Sequence, residues 1–166
     1  QDHKRVFEND KGPNTGGMGA YSPAPIITRS VEKKIIFKII EPTLKALKKN
    51  NNAYNGFLYV GLMIKNSEPY LIEYNVRMGD PECQVILPRL KTDLVNIFNN
   101  SIKNKLNNIK IKWKEEKSMT IVLCANGYPG PYKKNLLISN INKIELSKSD
   151  YIYHAGTKIF KNKIRS

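Results

Sequence analysis

Histidine and cysteine are scarce in this chain: Cys83, Cys124, His3 and His154 are the only four among 166 residues. Two cysteines make no disulfide framework, and two histidines far apart in sequence add too little for a four-ligand structural metal site. A reduced, cytoplasmic setting is therefore expected. No run of 18 apolar residues occurs, so no membrane-spanning helix is expected. Arginine is scarce as well, 5 residues against 23 lysines, and acidic residues number only 14, which leaves a net charge of +14. So basic a chain suggests a polyanion partner such as RNA. Few arginines, the usual readers of phosphate and base edges, weigh against it, as does the lack of aromatics interleaved with the basic residues. Lys, Asn and Ile together fill 62 positions. All three have A/T-rich codons, so genome bias explains the excess, and neither a nucleic-acid nor a membrane partner is expected.

What is present is enough for one domain of ordinary size or two small ones, with 40% apolar residues to form a packed core. The chain opens at Gln1 inside a charged run and stops at Ser166 with no polar tail, so it reads as an internal piece of a longer protein. Four Gly and three Pro in residues 8–25 predict a loop free of regular structure. A helical period follows from Ser30, the expected N-cap, with Ile35, Ile36, Ile39, Ile40, Leu44 and Leu47 on one face and a kink at Pro42. Residues 57–64 read as a largely buried strand and 70–76 as its hairpin partner, joined by a turn at Asn66-Ser67-Glu68-Pro69. One or two helices are expected in 83–107, then a polar boundary at 107–117. A strand at Met119–Ala125, a turn at 126–131 and weaker strands near 141–146 and 150–155 complete the reading.

The second hairpin strand carries the sharpest chemical signal. In Glu73-Tyr74-Asn75-Val76-Arg77 the odd positions share one strand face. A carboxylate and an amide oxygen side by side suit Mg²⁺, a hard cation that keeps phosphates and waters in its other positions. A guanidinium beside them suits a phosphoryl group in transfer. The plainer reading, a polar outer face on a half-exposed strand, fits the same spacing. Next come Asp80 and Glu82, which could take an ammonium, orient Arg77 or, for one of the two, cap the following helix. Their charge is expected to raise the pKa of the Cys83 thiol rather than activate it. The Gly-rich stretch Lys11–Gly19 could offer backbone N–H groups to a phosphate, but no Gly-Lys-Ser/Thr follows it, so it is no P-loop. No Gly-x-Ser-x-Gly elbow is present.

Gly12-Pro-Asn-Thr-Gly-Gly-Met-Gly-Ala-Tyr-Ser-Pro23, followed by Glu73-Tyr-Asn-Val-Arg-Met-Gly-Asp-Pro-Glu82, resembles glycinamide ribonucleotide synthetase (phosphoribosylamine–glycine ligase). Gln1-Asp-His-Lys-Arg5, Leu87-Pro-Arg-Leu-Lys-Thr-Asp-Leu94 and His154-Ala-Gly-Thr157 are similar to the same family. The resemblance covers nearly the whole chain. It implies an α+β fold: residues 1–110 as the C-terminal half of an ATP-grasp core, and 111–166 as the truncated start of a small β-rich C-terminal domain. It also implies a reaction in which ATP activates glycine for attack by 5-phosphoribosylamine, in de novo purine synthesis, carried out by a monomer. By the family pattern Glu73 and Asn75 hold Mg²⁺ or Mn²⁺ on the ATP phosphates, and Arg77 is catalytic. Asn14, Thr15, Gly16, Gly17, Met18 and Gly19, with Asp80, hold the amine substrate or glycine.

Two departures stand out. Many ATP-grasp proteins place a first metal-binding Glu about a dozen residues before Glu-x-Asn, where this chain reads Tyr59-Val60-Gly61-Leu62. Cys83 stands where the family has Thr, a near-isosteric exchange. Without the subdomain that clamps adenine, the 166-residue chain alone is expected to be inactive. The competing readings are a basic polyanion-binding module and another ATP-grasp carboxylate–amine ligase.

Overall fold

The computed structural model describes residues 1–166, a mixed α and β chain whose strands pair only two by two. Its first ribbon, β1 (Arg5–Phe7) with β2 (Lys11–Asn14), lies inside the stretch expected to be irregular, as does β3 (Gly19–Ser22). Gly and Pro do not prevent these strands. Asn9 and Asp10 adopt the left-handed conformation of the turn, and Pro13 sits in a two-stranded ribbon where no further strand needs its N–H. The partner of β3 is distant in sequence: β6 (Ser118–Ile121) runs antiparallel to it, Gly19 facing Ile121 and Ser22 facing Ser118.

The long helix runs from Arg29 to Lys49 in three parts, α1 (Arg29–Ile35), a wide π turn (Ile36–Ile40) and α2 (Glu41–Lys49). Thr28, not Ser30, is the N-cap, its hydroxyl accepting the Val31 N–H at 3.3 Å. The π turn lies just ahead of Pro42, whose ring has no N–H to donate and would clash with the carbonyl four residues back in a regular turn. The buried stripe is Val31, Ile35 and Ile39, while Ile36 and Leu44 are each 38% exposed. An extra residue in the wide turn rotates the apolar face out of phase.

The hairpin expected after it is present as β4 (Tyr59–Lys65) and β5 (Glu68–Asn75), closed by Asn66 and Ser67 in left-handed conformation. Glu68 and Pro69 belong to the strand rather than the turn, and only Gly61 of β4 is buried. A bulge interrupts the ladder, so that Leu62 faces Leu71 while Gly61 faces Glu73 and Tyr59 faces Asn75. The long helix packs on β5 through Lys34 and Lys38 on Glu68 and through Thr43 on Tyr74.

Two short helices follow, α3 (Cys83–Ile86) and α4 (Leu94–Ile102), the latter capped by Asp93 accepting from Asn96 N–H at 2.7 Å. The Arg89 guanidinium then ties residues 114–116 to β3, donating to the Glu116 and Lys114 carbonyls and to Ser22 Oγ. The expected strands near 141–146 and 150–155 do not form. A single 3₁₀ turn occupies Ile141–Lys143 and 150–155 has no regular structure. The strands of this region are β7 (Lys158–Phe160) and β8 (Lys163–Arg165), set by a two-residue turn at Lys161-Asn162.

Candidate functional site

The two sequence motifs meet. Gly17, at φ +134°, stands so close to the Asp80–Pro81 segment that a side chain there would overlap Pro81 Cδ. On the other side of that segment, Gly79 leaves room for the Glu82 carboxylate and the Tyr59 ring, both of which a methyl group would strike. Between them opens a cleft of about 430 Å³ lined by Lys4, Gly16, Tyr59, Glu73, Arg77, Met78, Gly79, Asp80 and Glu82. In a chain of net charge +14, its side chains carry three carboxylates against two cations. That local reversal of sign favours a divalent cation or an amine over a polyanion.

Glu73 and Asn75 stand together at the cleft edge of β5. Asn75 Nδ2 donates to Glu73 Oε1 at 3.0 Å, which leaves Glu73 Oε2 and Asn75 Oδ1 as oxygen donors for a hard cation. No cluster of three His, Cys, Asp or Glu side chains forms around them, in line with the absence of an acid at Gly61, the position opposite Glu73. Arg77 spends one donor on the Met78 carbonyl at 3.0 Å, and the rest of its guanidinium lines the cleft. Neither Asp80 nor Glu82 caps α3. Asp80 Oδ1 accepts from Gln84 Nε2 at 2.9 Å, and Glu82 turns inward.

Glu82 is only 8% exposed, with Oε1 accepting the Tyr59 hydroxyl at 2.8 Å and Oε2 unpaired. Burial, then the bond to Glu82, pushes the Tyr59 phenol pKa well above its ordinary value. Asp2 lies nearby, ion-paired with Lys4. Burial raises its pKa, the Lys4 ammonium pulls it down, and Glu82 pushes it up again. Cys83 is raised as expected, with burial as the larger cause and Asp80 second.

The Gly-rich loop is occupied by its own protein. Gly16 N–H donates to the Tyr128 hydroxyl at 3.2 Å, Gly17 N–H to Thr15 Oγ1 at 3.1 Å and Met18 N–H to the His3 carbonyl at 2.8 Å. These N–H groups therefore do not form an open phosphate cradle. Lys4 grips the same loop, its ammonium donating to the Gly16 carbonyl at 3.0 Å. Of the expected site residues, Glu73, Arg77, Asp80 and Gly16 line the cleft, and Asn75 and Gly17 support it directly. Asn14, Thr15, Met18 and Gly19 do not reach it. Thr15 staples the loop to Lys4, Met18 takes the Val122 N–H on its carbonyl, and Asn14 and Gly19 lie in strands.

Sequence reasoning left Lys4, Tyr59 and Tyr128 out of the site, and offered Glu82 only as a partner for an ammonium or Arg77 or as a helix cap, not as the buried acceptor of the Tyr59 hydroxyl. The hairpin turn would have pointed to the neighbourhood of Tyr59, but the bulge that aligns it with Asn75 has no sequence signature. Tyr128 lies 112 residues from Gly16, and no local pattern announces such a contact.

Residues 1–83 match the family described as phosphoribosylglycinamide synthetase, ATP-grasp (A) domain. The phosphoribosylamine–glycine ligase of Agrobacterium fabrum is 46% identical over 164 residues, covering 99% of this chain and 38% of that protein. The ligase of Vigna unguiculata is 47% identical over 160 residues, 95% of this chain and 51% of the relative. The crystal structure of the Thermotoga maritima ligase superposes with a TM-score of 0.76 at 34% identity, over the whole of this chain and 40% of its own length. The chain thus spans between about a third and a half of the relatives it matches.

Proposed function

This chain belongs to the phosphoribosylglycinamide synthetase ATP-grasp domain family, and from that premise we propose that it supplies part of the active site of a ligase joining 5-phosphoribosylamine and glycine. The reaction yields glycinamide ribonucleotide, ADP and phosphate. The observation that carries this reading is the paired oxygens of Glu73 and Asn75 beside Arg77, in an acidic cleft within a strongly basic chain.

In this scheme a glycine carboxylate oxygen attacks the γ-phosphorus of ATP and the bond to ADP breaks. The ribosylamine nitrogen then attacks the carbonyl carbon of the acyl phosphate, phosphate leaves, and the nitrogen loses a proton. Glu73 and Asn75 would hold Mg²⁺ or Mn²⁺, which when bound neutralises charge on the nucleotide phosphates. The free donors of Arg77 face the phosphoryl group and stabilise the charge that spreads over its oxygens in transfer. Asp80 and the Asn14–Gly19 loop hold the amine or glycine, Gly16 directly and its neighbours by fixing the loop. Five of the nine residues lining the cleft are exposed, so shielding the acyl phosphate from water falls to parts of the enzyme outside this chain.

We assign residues 1–110 to the C-terminal half of the ATP-grasp core and 111–166 to the start of a β-rich domain. The enzyme is read as a cytoplasmic monomer acting on small molecules. Because phosphoryl transfer depends chiefly on positioning, the chain by itself is inactive in this reading.

The test is ADP release by the full-length gene product that contains this sequence, with phosphoribosylamine, glycine and Mg²⁺ each omitted in turn. Release should require all three, the 166-residue chain should be silent, and Glu73→Ala should abolish Mg²⁺-dependent turnover without unfolding the protein. Release indifferent to glycine or to the ribosylamine overturns the substrate assignment. Normal turnover by Glu73→Ala overturns the metal assignment.

A further inference from the structure

The chain holds two Asn-Gly pairs, Asn55-Gly56 and Asn126-Gly127. Glycine has no side chain to shield its N–H, and its backbone turns freely enough to bring that nitrogen onto the amide carbon of a preceding asparagine. All four residues are exposed, so access to water does not separate the two pairs. Their hydrogen bonds do.

Asn55 is held at both ends of its amide. Nδ2 donates to the Ser101 carbonyl at 2.5 Å and to Asn104 Oδ1 at 3.1 Å, and Oδ1 accepts the Ser101 hydroxyl at 2.5 Å. Its Cγ reaches the Gly56 nitrogen only by breaking these bonds. The Asn126 amide has no hydrogen-bond partner, and neither has the Gly127 N–H. This pair forms the centre of a turn closed by the Tyr128 N–H, which donates to the Ala125 carbonyl at 3.1 Å. Gly127 has φ +101°, and a Cβ there would lie 2.5 Å from the Pro131 carbonyl oxygen. The turn therefore requires glycine at its second central position, and the fold keeps the reactive partner beside an unrestrained asparagine.

We propose that Asn126-Gly127 is a modification site, where the Asn126 amide converts without a catalyst to aspartate and isoaspartate and so loosens the hold of Tyr128 on the Gly-rich loop. The Gly127 nitrogen attacks Asn126 Cγ, its proton passes through water to Nδ2, and the bond from Cγ to Nδ2 breaks to release ammonia. Water then opens the cyclic imide at either carbonyl. Both products carry a new negative charge, and isoaspartate also lengthens the main chain by routing it through the former side chain. Tyr128 follows directly, and its hydroxyl accepts the Gly16 N–H at 3.2 Å. A longer turn displaces that hydroxyl. The inference stands apart from the ligase reading, since it uses only the turn and its neighbours.

The test is incubation of the full-length gene product at about 37 °C and a pH of about 8, followed by peptide mapping for the amide-to-acid mass change. Conversion at Asn126 should be at least about tenfold faster than at Asn55, the effect of a single net hydrogen bond at Asn55. In urea the two rates should converge, because the dipeptides are the same and only the fold distinguishes them. Amide hydrogen exchange at Gly16 should be faster in the aged protein, while an Asn126→Gln protein aged in parallel keeps its original rate. Equal rates at the two sites in the folded protein overturn the proposal, as does a gap that persists in urea. Unchanged exchange at Gly16 in fully converted protein overturns the link to the loop.

Discussion

Residues 1–90 and residues 91–166 are built differently. Every buried residue lies at or before Val85, and none follows. Beyond that point Leu123 is 93% exposed, Ile102 78% and Ile159 77%. Yet the first region does not owe its order to large apolar side chains, since only Val31 and Val85 are almost completely enclosed. Many of its buried positions are in the two motifs themselves: Gly17, Gly19, Ala20, Gly79, Pro81 and Glu82. The cleft is held by close backbone approach. The second region reaches it through two single hydrogen bonds, Tyr128 on Gly16 and Val122 on Met18, and through the short ladder of β6 on β3. The difference teaches that the site is shaped where chain touches chain without side chains between, and that the later residues pin it rather than form it.

Glycine substitutions should break this comparison most sharply. Gly17→Ala adds left-handed strain to an overlap with Pro81, and Gly79→Ala drives a methyl into Glu82. Each should cost about 2–4 kcal/mol in urea unfolding. Gly156→Ala meets nothing within 4 Å and should stay within about 0.5 kcal/mol of the unaltered protein. Equal midpoints for all three would erase the distinction between the regions.

A smaller effect concerns the contact between them. Tyr128→Phe removes the acceptor of the Gly16 N–H and should cost about 0.5–1 kcal/mol, with faster amide hydrogen exchange at Gly16 and unchanged exchange in α1. Unchanged exchange at Gly16 would mean that the later region does not hold the loop.

The least disruptive test uses the cysteines. Cys124 is exposed, whereas Cys83 is partly enclosed and its pKa is raised above the ordinary 9.0 by burial and then by Asp80. A raised thiol pKa means that the fold favours the neutral form. That preference is complete below pH 9.0 and lost as pH climbs through the folded value. Alkylation at pH 8 should therefore modify Cys124 first, with Cys83 following only at higher pH or on unfolding. Equal rates at pH 8 would show that the partial enclosure of Cys83 does not protect its thiol.

Much of the site was legible because its chemistry is local. The spacing of Glu73 and Asn75 places them on one strand edge whatever the strand packs against, Arg77 follows in the bend just past the end of β5 rather than on the strand as expected, and Asn66-Ser67 announces the turn that closes the hairpin. The irregular look of residues 8–25 misled for an identifiable reason. Composition registers the flexibility of Gly and Pro, but β3 is stabilised by β6 about a hundred residues later, and Gly19 lets the two backbones approach. The C-terminal strands were misplaced because alternation is a weak signal where no face is buried, and the turn at Lys161-Asn162 decided the pairing.

The sequence by itself determined the family, the long helix, the hairpin and the oxygen pair with its neighbouring guanidinium, because these follow from residue type and short spacing. Only the tertiary structure decided what stands opposite them. A ladder running unbroken from Asn66-Ser67 would set Val60 against Glu73. The bulge moves the register by one, so Gly61 faces Glu73 and Tyr59 faces Asn75. A shift of one residue exchanges the faces of a strand, and it is stabilised by groups far away in sequence: the Glu82 carboxylate that holds the Tyr59 hydroxyl, and the backbone of Gly79 that makes room for both.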